Sequence, residues 1–102
     1  MQVDLEKNKR EQLRWLVLIT LNAARPVGAN EHLVLSTVQG VPLPVTQHEL
    51  RRELDYLEER GLVKISNQHN GVWFGELTRD GIDVVEYTVD VDPGIARPQK
   101  YW

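Results

Sequence analysis

The sequence predicts an α+β fold, in which three helices form a core and are followed by a β-hairpin, a short fourth helix and an extended tail. Three features carry that prediction. Residues 4–24 run without Gly or Pro and are rich in Glu, Lys, Arg and Leu, all good helix formers. Thr46-Gln47-His48-Glu49 has the spacing of a capping box, and Leu50, Leu54 and Leu57 recur behind it at helical intervals. Two apolar runs, 62–66 and 72–77, flank Asn67-Gln68-His69-Asn70-Gly71, whose Asn-Gly pair suits the positive φ angles of a tight turn.

In the first helix, Asp4 and Glu6 sit in the opening turn and Arg25 near the end, as the helix dipole favours. Leu13, Leu16, Val17, Thr20, Leu21 and Ala24 mark one face. Trp15, Leu18 and Ile19 are apolar but point elsewhere, so from residue 13 the helix is hydrophobic almost all round and should be buried on more than one side. In a chain this small the second side is expected to be a subunit contact. Trp15, Leu18 and Ile19 are therefore candidates for a homodimer interface. Trp102, beside Tyr101, joins them as a terminal aromatic expected to pack on a partner or on its own body.

Arg25-Pro26-Val27-Gly28-Ala29 breaks the first helix. Asn30 caps a second, from Glu31 to about Val38, which Gly40 ends; Leu33, Val34 and Val38 can face a core. Two prolines keep 41–45 extended. The third helix, 46–60, stops at Arg60-Gly61. Thr78-Arg79-Asp80 opens the last helix, which runs to about Tyr87, and Asp92-Pro93-Gly94 precedes an extended end. The expected organisation is one domain over 1–88 with a tail over 89–102.

A length of 102 residues suits a single domain, large enough to bury roughly two thirds of its unfolded surface without staples. No cysteine is present, which removes disulfides, thiol catalysis and thiolate metal sites. The longest strongly apolar run, Trp15 to Leu21, is far short of the ~20 residues of a membrane span. The acidic, mixed N-terminal stretch does not read as a signal peptide. A small soluble intracellular domain is the expectation. Twelve Lys and Arg against fifteen Asp and Glu give a net charge of −3, with the basic excess confined to the N-terminal third. Duplex DNA is held largely through neutralised phosphates, so any contact must come from a local patch.

The order of elements, helix, helix, capped helix, hairpin and helix, is that of a winged helix-turn-helix. The stretch from Leu50-Arg51-Arg52-Glu53-Leu54 to Arg60-Gly61-Leu62-Val63 resembles the recognition helix and first wing strand of that superfamily, and Leu77-Thr78-Arg79-Asp80-Gly81 resembles the start of its last helix. The resemblance covers roughly residues 10–88. A narrower likeness, on 60–63, 77–84 and Pro93-Gly94-Ile95-Ala96-Arg97-Pro98, is to the small winged-helix, ArsR-like proteins of Mu-like phages and prophages. It implies a DNA-binding regulator in the cytoplasm of a bacterial host. With Leu50, Leu54 and Leu57 turned to the core, Gln47, His48, Arg51 and Arg52 are left on the outer side of the third helix, where such proteins reach a major groove.

Two features oppose double-stranded DNA as the partner. The wing tip, 67–71, has no Lys or Arg, and the third helix carries Glu49, Glu53, Asp55, Glu58 and Glu59. A winged helix that contacts a protein partner is the alternative, since fold alone does not settle function. For Arg51 and Arg52, contact with bases or phosphates stands against intrahelical pairing with Asp55, Glu49 or Glu59. Trp73 is expected to pack in the core or hairpin. Enzyme chemistry has no support. His48-Glu49 begins like a zinc-protease motif, but Arg52 stands where the second His should be; His32, His48 and His69 have no ligand spacing, and no phosphate-binding or nucleophile motif occurs. Neither cofactor nor metal is expected.

Overall fold

The computed structural model describes residues 3–100. Helices α1 (Leu5–Ala23), α2 (Glu31–Gln39), α3 (Gln47–Glu59) and α4 (Arg79–Val85) pack around three antiparallel strands, β1 (Ala29–Asn30), β2 (Val63–Ser66) and β3 (Phe74–Leu77), arranged β1-β3-β2. Each helix opens on a side chain that satisfies a free backbone N–H: Asp4 accepts from Lys7, Asn30 from Leu33, Thr46 from Glu49 and Thr78 from Gly81. The capping box of α3 is complete. Thr46 Oγ1 accepts from the Glu49 amide and a Glu49 carboxylate oxygen accepts from the Thr46 amide, both at 3.1 Å.

The core is built on α1, which packs against α2, α3, β3 and α4. Leu13, Val17, Leu18 and Leu21 meet Val34, Val38, Leu50, Leu54 and Leu57 there, all buried. This corrects the reading of Leu18. It is 0% exposed within the protomer and has no surface for a subunit contact. Four elements cover α1 over a wider arc than one apolar stripe implies, and Leu18 falls inside that arc. Trp15 and Ile19 stay partly exposed, Trp15 with its ring edge-on to Tyr87 at 6.3 Å. Trp102 lies outside the described residues.

Strand β1 is absent from the sequence reading, which has a breaker at 25–29. Ala29 pairs with Gly75 and Asn30 with Phe74. The approach is so close that a Cβ on Gly28, which has φ +93°, would lie 2.5 Å from the Gly75 carbonyl oxygen. The hairpin also differs. Its second strand starts at Phe74, because Trp73 spends both backbone groups on Glu31: its carbonyl accepts from the Glu31 amide and its N–H donates to the Glu31 side chain. In the turn, Asn67 and Gly71 take positive φ, while Asn70 does not. Helix α4 ends at Val85, two residues early, with Tyr87 in the left-handed region at φ +62°.

The tail docks on the body. Ile95 is buried, the Ala96 amide donates to the Glu11 carbonyl, and Arg97 donates to the carbonyls of Val84 and Val89. Gly94 sits at φ +107° under the Tyr56 hydroxyl, where a Cβ would come within 2.6 Å.

Candidate nucleic-acid interface

Leu50, Leu54 and Leu57 anchor α3 and turn its opposite side outward beside the β2–β3 hairpin, the wing. The structure brings Gln47, His48, Arg51 and Arg52 together on that side but divides them. Gln47, His48 and Arg52 are exposed, and His48 and Arg52 line a shallow concavity between helix and wing with Arg51, Asp55 and Trp73. Gln47 and Arg51 have their donors turned inward to Glu31.

Glu31 follows the N-cap of α2, where an acid ordinarily faces water and the helix dipole. Here it is 2% exposed. One carboxylate oxygen accepts from Gln47 Nε2 at 2.9 Å and Arg51 Nε at 2.8 Å; the other accepts from Arg51 Nη2 at 2.7 Å and the Trp73 amide at 2.6 Å. The same Arg51 Nη2 also donates to the Gly71 carbonyl in the wing turn, and the guanidinium stands 4.8 Å from the centre of the Trp73 ring. This forked pairing holds the Glu31 carboxyl at about 2, with Arg51 the largest cause and burial working against it. Arg51 thus ties α2, α3 and the wing into one unit. Trp73 packs against it in the hairpin, its indole Nε1 buried without a hydrogen-bond partner.

Arg52 is held more loosely. Its Nε lies 3.5 Å from Glu53, and its side chain is 56% exposed. Glu53, 1% exposed, is bound more tightly by Arg14 of α1, whose Nε donates at 2.8 Å. Arg14 also donates to the Gly94 carbonyl of the tail and stacks 3.6 Å above the Tyr56 ring. Neither arginine makes the intrahelical pairs with Asp55, Glu49 or Glu59 that sequence allows. Glu49 is occupied by the cap and by Lys9 at 3.2 Å.

Three of the acids of α3, Asp55, Glu58 and Glu59, lie in its second half. A Glu58 oxygen accepts from the Ile65 amide at 3.0 Å, and Gln68 Nε2 donates to Asp55 and Glu58 at 3.3 and 3.5 Å, so these carboxylates tie strand β2 and the wing turn to α3. Burial, then Glu58 and Glu59, push the Asp55 carboxyl up from its ordinary value. Among the described residues no group of three or more His, Asp or Glu could hold a metal ion, and no helix is long and apolar enough to cross a membrane.

No family model matches the chain, and no curated protein matches it. A solved structure does. H. salinarum RosR, in a structure grown from NaBr, superposes with a TM-score of 0.66 over 74% of this chain and 67% of that one, at 21% identity. The fold is a winged helix-turn-helix. At that identity the likeness speaks for the fold alone, and the site rests on the residues described above.

Proposed function

We propose that this chain binds double-stranded DNA as a homodimer, with the first half of α3 in the major groove, His48 and Arg52 leading, and the wing along the flanking backbone. The division of charge along α3 carries the reading. Its first two turns present His48 and Arg52 outward, with the first-turn acid Glu49 occupied by the cap and Lys9, while Asp55, Glu58 and Glu59 lie in the half farther from the N-terminus. Helix-turn-helix proteins read bases with the N-terminal residues of that helix. Gln47 and Arg51 border the same surface but serve first to hold the wing. Regulation in a phage or prophage setting belongs to this proposal and rests on the motifs at 60–63, 77–84 and 93–98.

The homodimer rests on the outward face of α1. The exposed Leu5 and the partly exposed Ile19 lie there at helical spacing, on the side away from Val17 and Leu21. Ile19→Glu is expected to leave helicity intact and reduce the mass in light scattering to one chain; a wild-type mass of ~12 kDa at every micromolar concentration overturns the dimer. Selection from random duplexes, then titration at two salt concentrations, tests the DNA reading. Enrichment of a site with two halves one helical turn apart, ~34 Å, is expected. No enrichment, with binding to any duplex weaker than ~10⁻⁴ M at low salt, overturns it. The neutral wing tip and the acidic second half of α3 favour the second reading, a protein-binding winged helix, which would then stand.

A further inference from the structure

We propose that Glu31 is a specificity-determining residue: a phosphate-like acceptor built into the reading surface, which withholds Arg51 from nucleic acid. The inference rests on the DNA-binding reading and deepens it. Glu31 and Glu53 are the buried charged side chains among the described residues, and each pairs with one of the adjacent arginines of α3. The two pairings differ in stoichiometry. At Glu31 one carboxylate meets one guanidinium, and its other partners, Gln47 and the Trp73 amide, are neutral donors. That cluster is electrically closed. At Glu53 one carboxylate meets both Arg14 and Arg52, which leaves a positive charge over, and Arg52 is the exposed partner.

The geometry on Glu31 is the planar fork that a guanidinium would otherwise offer a phosphate or a guanine edge. A phosphate must therefore displace a buried carboxylate that also holds the wing through Trp73. Freeing Arg51 would abandon an ion with almost no access to water. Nonspecific backbone affinity is thus lowered by one cation per subunit, while Arg52 and His48 keep the contacts that sequence can modulate. Such a surface gives up affinity for every duplex alike and raises the ratio of specific to nonspecific binding.

The test compares the salt dependence of binding to a random-sequence duplex for wild type, Glu31→Gln, the double variant Glu31→Gln/Arg51→Gln, and Arg52→Gln, with thermal melts of each. Each cation that reaches phosphate contributes about one unit to the log–log slope. Glu31→Gln is expected to steepen the slope by about one unit per subunit and tighten nonspecific binding several-fold, since it releases Arg51. The double variant keeps the wild-type slope, and Arg52→Gln makes it shallower by about one unit. A structural defect alone would weaken binding and would not steepen the slope. Should Glu31→Gln fail to fold, the double variant, which removes both charges together, decides the matter. A slope clearly shallower than wild type would mean that Arg51 touches phosphate in the native protein, and would overturn the proposal. Elution from immobilised heparin, a polyanion without base pairs, separates the two ideas. If no duplex binds but heparin retains the same order of variants, the DNA reading fails and the withholding of Arg51 stands. If Arg51 and Arg52 count equally on heparin, the withholding fails.

Discussion

At Glu31 one buried carboxylate faces one cation; at Glu53 a carboxylate equally buried faces two. The first is a closed joint among three elements, α2, α3 and the wing, and all its donors point inward. The second joins α1, α3 and the tail, and leaves Arg52 leaning on it from the solvent. The difference shows that burying an acid beneath an arginine does not fix what the arginine can do. Two short hydrogen bonds to Glu31, on a carboxylate that Gln47 and the Trp73 amide also hold, make Arg51 a structural member. The 3.5 Å contact at Glu53 leaves Arg52 able to turn toward a ligand.

The largest effect that would break this contrast is on stability. Arg51→Ala strands a carboxylate that is 2% exposed, and is expected to cost ~3–5 kcal/mol in denaturant unfolding, where Arg52→Ala costs under ~1 kcal/mol. Equal costs would mean that the two pairings do the same work.

Acid is the next lever. The Glu31 carboxyl lies at about 2 in the folded protein against 4.5 as its ordinary value. A lowered folded value means that its contribution is complete above about pH 4.5 and drains away as pH falls toward about 2. On the order of 3 kcal/mol is at stake. Asp55 works the other way, since protonation relieves a carboxyl that burial and its neighbours hold up. Stability of the wild type should therefore fall between those limits, and Glu31→Gln should flatten the fall. An unchanged acid limb in denaturant midpoints against pH would contradict the assignment.

Glu53→Ala is expected to cost less, ~2 kcal/mol, because Arg14 keeps the Gly94 carbonyl and the Tyr56 face. Its signature should be faster amide exchange in residues 94–97, without loosening of the wing. Gly94→Ala probes the same joint from the tail side. Its positive φ and the Tyr56 hydroxyl 2.6 Å from the new Cβ predict a loss of ~1–2 kcal/mol, again with local exchange in the tail. The smallest effect is at the cap. Thr46→Ala should cost ~1 kcal/mol, and together with Glu49→Ala less than the sum of the two, because the pair forms one box. Strict additivity in chemical melts would show that the box is not cooperative.

Nearest-neighbour chemistry already determined much of this molecule. The caps at Asn30, Thr46 and Thr78, the leucine spacing of α3 and the stop at Arg60-Gly61 are local, because a cap or a helical stripe needs partners only three or four residues away. The sequence therefore sufficed for four helices and a hairpin in order, and for the four side chains on the outer side of α3. What Gln47 and Arg51 do was decided by contacts with Glu31 across 16 and 20 residues, which no short window of sequence contains. Glu31 carries the ordinary signature of a first-turn acid; only when β1 pairs with β3 does Trp73 reach it and exclude water. Leu18 reads as an outward residue until the elements packed around α1 bury it. The sequence by itself set the four helices and the hairpin, but not β1 or the full buried arc of α1. Tertiary packing decided which charges are spent inside the protein and which are left for a partner, because a charge is neutralised only by what the fold brings within hydrogen-bond reach of it.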